Sequence, residues 1–177
     1  LGVDFEKQGF STNVNVNASR KFSFGANFKM GDGIRYGTDP LLGNQFGLGI
    51  FASVRPTSSL SMSLNLNSTR LTIDGVEEFD VKIVRSTTTY QLTEKFGFRN
   101  IVQFNTLNKK FDFNLLATYR VNAGTVFFLG YDDHYRQADL ITGDRDGDGF
   151  NEQLFFTDDF QRTNRAIFVK LQYLLRY

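Results

Sequence analysis

Residues 60–67 read Leu60-Ser61-Met62-Ser63-Leu64-Asn65-Leu66-Asn67, so apolar and polar side chains alternate at every step. A strand sends successive side chains to opposite faces, whereas an amphipathic helix needs an apolar period of 3.6 residues. This segment therefore predicts a β-strand with one apolar and one polar face.

The same period of two, or a strand-like composition, recurs in eight further segments. They are residues 10–18, 22–30, 46–55, 81–93, 96–106, 111–120, 125–137 and 165–177. The alternation is less regular in 81–93 and 96–106, so their facing is left open. Most of the segments exceed the ~5 to 6 residues of an average strand and suit tilted crossings of a bilayer. We expect an all-β chain with about nine antiparallel strands in meander order.

The chemistry of the two faces separates a membrane barrel from a soluble sandwich or jelly roll. The polar faces carry mostly Asn, Ser and Gly rather than Lys and Glu, which suits a crowded, hydrated lumen. The apolar faces begin and end with aromatic residues, as interfacial girdles do. These are Phe22, Phe46, Phe111, Tyr119, Tyr173 and Tyr177. The pattern favours an antiparallel transmembrane β-barrel whose apolar side chains contact lipid.

The connections are predicted to alternate between tight and longer ones. The tight turns are expected at 19–20, 56–59, 94–95 and 121–124, and the longer ones at 33–44, 74–80, 107–110 and 138–164. Outer-membrane barrels have short periplasmic turns and longer outer loops. We therefore expect a periplasmic C-terminus at Tyr177 and an extracellular Asp-rich loop. Closed bacterial barrels usually have an even strand number, so residues 1–177 are expected to be the C-terminal part of one barrel, completed by upstream strands or another chain.

Composition narrows the class of protein further. The chain has 177 residues, a net charge of +1 and no Cys, which excludes a disulfide framework and thiolate metal sites. Nucleic acid is not an expected partner, because no long basic run is present. No stretch approaches the ~20 apolar residues of a membrane helix. Residues 1–10 lack the features of a signal peptide, so we expect the exported gene product to begin upstream.

The segment 165–177 has the most regular alternation. Its apolar side chains are Ile167, Val169, Leu171, Tyr173, Leu175 and Tyr177, and Lys170, Gln172 and Arg176 face the other way. A final aromatic residue after such a strand resembles the assembly signal of outer-membrane proteins, which the barrel-assembly machinery reads as an added strand. A free strand edge is a template for such addition.

Two stretches carry a family resemblance. Residues 109–131 read KKFDFNLLATYRVNAGTVFFLGY and residues 168–177 read FVKLQYLLRY. Together they resemble the C-terminal barrel, a domain of unknown function, of Bacteroidota-type proteins with an N-terminal family-9-like carbohydrate-binding domain. The resemblance implies a membrane anchor, passage or scaffold for a carbohydrate-binding or multiprotein surface assembly, with the sugar-binding domain upstream. The C-terminal barrel segment of a TonB-dependent transporter is an alternative, because such barrels end similarly.

The Asp-rich loop contains a candidate calcium site. Asp144, Asp146 and Asp148 are followed by Gly149 and Glu152, which resembles the first part of a calcium-binding loop. Alternating carboxylates can converge on one hard cation, but the twelfth position is Phe155 and not the bidentate Glu of an EF-hand. A solvated acidic turn is the alternative, since Asp and Gly are ordinary turn residues. We expect a bound calcium ion to stiffen the loop rather than to catalyse a reaction.

The single histidine, His134, shares a strand face with Asp132 in the segment 125–137. An Asp can orient an imidazole for water activation, so a hydrolase at the barrel rim, of protease or lipase type, is an alternative function. A rim protease would also need a second acidic pair, which the sequence does not identify. A polar cluster in the lumen is the simpler interpretation, and we expect no enzymatic activity.

Overall fold

The computed structural model describes residues 4–37, 39–137, 141–143, 152–155 and 159–174. Within them the chain is all-β and antiparallel. The strands are β1 (Gly9–Val16), β2 (Phe22–Arg35), β3 (Leu41–Val54), β4 (Leu60–Ile73), β5 (Val76–Gln91), β6 (Phe96–Asn105), β7 (Lys110–Asn122), β8 (Thr125–Gln137), β9 (Ile141–Gly143), β10 (Glu152–Phe155) and β11 (Phe160–Tyr173). This part of the chain contains no helix long and apolar enough to cross a membrane.

Nine strands form one sheet in the order β1-β2-β3-β4-β5-β6-β7-β8-β11, and β9 pairs with β10 in a separate hairpin. Each strand of the large sheet pairs with its sequence neighbour, apart from the β9–β10 insertion between β8 and β11. This confirms the predicted meander of nine antiparallel strands. In the described residues, β1 and β11 each have one edge without a paired strand.

The register gives the large sheet two chemically different faces, because directly opposed residues point to the same side. We call one the apolar face; it carries a row in which Ile50 pairs with Leu66 and Leu66 pairs with Val84. We call the other the polar face; it carries Gly49 opposite Asn67. The register also settles the facing of β5 and β6, since Val84 pairs with Phe104 and so places both on the apolar face.

The apolar face is exposed in most strands of the large sheet. Ile50, Leu64 and Leu129 keep 43%, 47% and 52% of their surface exposed, although each lies in the middle of a strand. Among the described residues the only buried apolar side chains are Leu71 and Ile73, and both lie on the polar face. The chain exposes 13153 Å², whereas a compact protein of 20.2 kDa exposes about 8,800 Å². In this part of the chain, no second layer covers the apolar face.

Glycines of the sheet's strands lie on the polar face. They are Gly9, Gly25, Gly31, Gly33, Gly43, Gly47, Gly49, Gly97 and Gly130. A Cβ atom at Gly25 would clash with the side chain of Asn15, and one at Gly49 would clash with that of Asn27. Side chains of neighbouring strands thus fill the space over the glycines. On the polar face, side chains of one strand thus pack closely against the glycines of the next.

The predicted alternation of loop lengths is wrong for the earlier connections. β2 continues to Arg35 and β3 begins at Leu41, so the predicted loop 33–44 shrinks to residues 36–40. The predicted loop 74–80 is a two-residue turn, in which Asp74 and Gly75 have φ angles of 50° and 80°. Asp-Gly is a favoured pair for a hairpin turn with positive φ at both central positions. Only the connection between β8 and β11 is long, and it contains β9 and β10.

β11 begins at Phe160, five residues before the predicted start at Arg165. Its facing agrees with the prediction, because Val169 pairs with Leu129 and Leu171 with Phe127 on the apolar face. Leu175, Arg176 and Tyr177 lie outside the described residues.

Candidate functional site

The charged triplet Asp132-Asp133-His134 lies in β8, between β7 and β11. Because successive residues of a strand point to opposite faces, Asp132 and His134 project from the polar face and Asp133 from the apolar face. The triplet therefore belongs to two charged clusters that lie back to back across the sheet.

The polar-face cluster consists of Asp112, Asp132 and His134. Nδ1 of His134 lies 2.5 Å from Oδ1 of Asp112, and Nε2 lies 3.1 Å from Oδ2 of Asp132. About a third of the imidazole surface stays exposed. Sequence alternation placed Asp132 beside His134 but missed Asp112, which β7 brings directly opposite His134. Counting outward from the predicted turn at 121–124 would have placed Asp112 opposite Asp133, and the bulge between Arg120 and Asn122 shifts it to His134.

This arrangement defines what His134 can do. Both ring nitrogens face carboxylates, and both can donate at once only when the imidazole is protonated. A general base needs one free ring nitrogen towards its substrate or water. In this conformation His134 therefore links β7 to the side chain of Asp132, and activating a water would require one carboxylate to move away.

The apolar-face cluster is centred on Asp133, which is only 2% exposed. Its Oδ2 atom accepts hydrogen bonds from the hydroxyls of Tyr131 at 2.6 Å and Tyr135 at 2.9 Å. The guanidinium of Arg165 donates to the same oxygen from Nη2 at 2.9 Å and from Nε at 3.2 Å. Oδ1 is buried without a hydrogen bond, and Nε of Arg162 lies 3.6 Å away. Sequence analysis had singled out none of these residues.

A β-bulge in β11 brings both arginines to Asp133. Arg162 pairs with Tyr135 and Arg165 with Asp133, while the register shifts between Arg162 and Asn164. Three residues apart in a regular strand, the two arginines would lie on opposite faces. The extra residue, Thr163, restores them to one face, and its hydroxyl donates to the carbonyl oxygen of His134 at 3.2 Å.

Next to Asp133 the apolar face carries an open groove of about 550 Å³. Its lining is aromatic apart from Asp133 and consists of Phe111, Phe113, Tyr131, Tyr135 and Phe160. The Cζ atoms of Arg162 and Arg165 lie 5.9 Å and 5.6 Å from the ring centres of Tyr135 and Tyr131. The guanidinium groups are thus held over the aromatic rings at the rim of the groove.

The predicted calcium ligands are not placed by the structure. Asp144, Asp146 and Asp148 lie outside the described residues, and only the backbone of Glu152 is described, at the start of β10. Calcium binding therefore stays a prediction. Elsewhere in the described part of the chain, no group of three or more His, Asp or Glu side chains is arranged to hold a metal ion.

In comparisons with known proteins, no family model and no curated protein matches this chain.

Proposed function

We propose that this chain forms part of an outer-membrane β-barrel that serves as a membrane anchor, passage or scaffold. The observation that carries the proposal is the exposed apolar face of a single-layer, nine-stranded sheet. Exposed apolar patches of this extent are rare on soluble monomers and mark a surface that another apolar medium covers. Lipid is the medium we expect to cover the apolar face, because the other face of the sheet is polar. A membrane barrel turns its polar side chains to the lumen and its apolar side chains to lipid.

Strand length supports the same proposal. β2, β3 and β4 each have 14 residues, which gives about 46 Å at ~3.3 Å per residue. Tilted by ~45°, such a strand rises about 32 Å, close to the ~30 Å hydrocarbon thickness of a bilayer.

Side chains at the two ends of the apolar face also fit a bilayer. Phe96, Tyr119 and Phe127 form one row near the tight turns, as an aromatic girdle would. Near the opposite strand ends, Arg70 bonds to Asp80 at 2.9 Å and Lys82 to Asp80 at 3.0 Å. Charges gathered there would lie at the headgroups or beyond, which leaves the middle of the face apolar in β2–β4.

Cell fractionation tests the proposal. We expect the protein to sediment with outer membranes and to stay there after alkaline carbonate and urea washes, since integration buries the apolar face in lipid. A soluble sandwich or a peripheral protein would be released by these washes, and release would refute the proposal. Vesicles carrying the protein would then be tested for single-channel conductance, which separates an open passage from a closed anchor.

The remaining parts of the proposal follow from the sequence, and the orientation rests on the single long connection, that between β8 and β11. The C-terminus would be periplasmic and the Asp-rich connection extracellular, and the barrel-assembly machinery would recognise the C-terminal strand. Carbohydrate or other outer-membrane proteins would be the partners of the assembly. Protease protection of residues 138–159 by millimolar calcium, measured on intact cells, tests both the outward orientation and the metal loop.

The alternative function is a rim hydrolase using His134 with Asp132, although the contacts of both ring nitrogens with carboxylates argue against it. If it is correct, His134→Ala abolishes hydrolysis of peptide or lipid substrates by the purified protein. We expect His134→Ala and the unchanged protein to behave alike in that assay, because both ring nitrogens are engaged. A loss of hydrolysis in the variant would favour the hydrolase.

A further inference from the structure

We infer that the groove beside Asp133 binds an anionic phospholipid, with its phosphate at Arg162 and Arg165 and an acyl chain along the aromatic lining. This inference rests on the proposed membrane location, because it takes the groove to lie on the lipid-facing side of the sheet. It goes beyond that proposal by assigning one lipid class to one site.

The net charge beside the groove favours an anionic lipid headgroup over one that carries an ammonium group. Two arginines and one aspartate leave one net positive charge at the rim. The carboxylate of Asp133 is covered: Oδ2 receives donors from Tyr131, Tyr135 and Arg165, and Oδ1 is buried. An ammonium headgroup would thus meet guanidinium groups before it met a carboxylate. A phosphate would meet the side chains of Arg162 and Arg165, which are 48% and 44% exposed. Guanidinium groups are suited to bidentate phosphate binding.

The arginines are preorganised for such a ligand. Arg165 donates hydrogen bonds to Asp133 from Nε and Nη2, so the N–H groups of Nη1 point away from that carboxylate. Arg162 approaches Asp133 only to 3.6 Å, which leaves its donors available. Stacking over Tyr135 and Tyr131 limits the freedom of both side chains, so less conformational entropy is lost on binding.

The apolar part of the groove fits an acyl chain. Its volume of about 550 Å³ lies within the ~300–1,000 Å³ of small-molecule sites. Phe160 lines the groove, and its ring centre lies 6.2 Å from that of Phe104 and 6.4 Å from that of Phe111. The same groove therefore offers donors for a phosphate and aromatic walls for hydrocarbon within one continuous surface.

Native mass spectrometry of the membrane-extracted protein tests the inference. Phosphatidylglycerol and phosphatidylcholine with identical acyl chains are titrated separately. We expect phosphatidylglycerol to bind more tightly, and Arg162→Gln to weaken its binding about fivefold, since one surface arginine contributes roughly 1 kcal/mol to anionic-lipid attraction. Arg136→Gln, which removes an equal charge from the polar face of the same strand region, is the matched control and should change nothing.

Two further variants keep the test decisive. Arg162→Lys keeps the charge and should retain most of the preference, which also covers the case in which Arg162→Gln fails to assemble. Phe160→Ala should weaken both lipids alike, because it removes a wall of the acyl groove. Equal binding of the two lipids, tighter binding of phosphatidylcholine, or an Arg162→Gln effect no larger than that of Arg136→Gln would overturn the inference. Membrane integration in the fractionation assay would survive each of these results, so the two proposals fail separately.

Discussion

Strands β1–β4 and strands β7, β8 and β11 belong to the same sheet but use their two faces differently. In β2–β4 the middle of the apolar face is uninterrupted, as in the row of Ala26, Ile50 and Leu66. In β7, β8 and β11 that face contains the almost fully buried Asp133 with Arg165. The polar face there holds the contact between His134 and Asp112. The first region has the pattern a lipid-covered wall requires, and the second departs from it on both faces.

The departure is informative because charge on an apolar surface is unfavourable unless it is paired and hydrogen-bonded. Asp133 satisfies that condition with four donor contacts on one oxygen. Local rules are broken most often where a protein has a function to perform. The regular strands β2–β4 therefore support the proposed contact with lipid, and the irregular strands β7, β8 and β11 carry the candidate sites.

The largest expected effect comes from Arg165→Leu in the irregular region. It removes both Arg165 hydrogen bonds from the buried carboxylate of Asp133 and leaves only Arg162, at 3.6 Å. Removing one partner of a buried charge is strongly destabilising. We expect the largest fall in the urea midpoint, measured by circular dichroism in detergent micelles. Adding Asp133→Leu to Arg165→Leu should recover more than half of the loss. A midpoint for Arg165→Leu equal to that of Arg136→Gln would contradict the buried pair.

In the regular region, Leu66→Arg should destabilise the folded protein in lipid by about 2–4 kcal/mol, the range for a charge on the lipid face near the midplane. Asn67→Arg is the matched control, because it introduces the same side chain one residue later on the polar face, opposite Gly49. Its effect should stay within about 0.5 kcal/mol. Both are measured by reversible urea unfolding in vesicles. If both substitutions lowered the free energy of unfolding equally, the two faces would have to contact the same medium, which would contradict the proposal.

Close packing of the polar face can be tested within β3 alone. A Cβ at Gly43 would collide with the backbone oxygen of Thr72, whereas the nearest atom to a Cβ at Gly47 lies 3.5 Å away. We expect Gly43→Ala to destabilise by about 1–3 kcal/mol, as overpacking does. Gly47→Ala should be neutral or stabilising by up to about 1 kcal/mol. The same unfolding assay measures both, and a reversed order would contradict the described register.

The smallest effect is expected for Asp112→Asn, which changes a partly exposed contact with His134. A contact of this kind contributes at most about 1 kcal/mol. Asp133→Asn makes the same chemical change across the sheet in the covered cluster, and its midpoint should fall further. If Asp112→Asn is the more damaging of the two, the polar-face cluster and not the apolar-face cluster holds this region together.

The sequence predicted the regular region well because two-residue alternation is sufficient there. It failed to give the facing of β5 and β6, since Ser86 and Asn100 lie on the apolar face and Ile83 and Ile101 on the polar face. With both faces mixed, only pairing with neighbouring strands decides the side.

The apolar-face cluster could not be predicted for a different reason. Alternation places Arg162 and Arg165 on opposite faces, and only the bulge at Thr163 unites them. A bulge has no reliable sequence signal, because it depends on pairing with the partner strand. The Asp74-Gly75 turn, in contrast, had a recognisable signal, and the longer loop predicted there was wrong because that pair was not read as a hairpin turn.

The most direct test of the lipid-facing assignment is a cysteine scan along β4, which is simple because the chain contains no native Cys. Single cysteines at residues 62–67 are spin-labelled in membranes, and collisions with lipid-dissolved oxygen and with a water-soluble nickel complex are compared. We expect positions 62, 64 and 66 to favour oxygen and positions 63, 65 and 67 to favour nickel, with a period of two. Even positions shielded from both reagents, as in the core of a soluble sandwich, or the absence of alternation, would contradict the account.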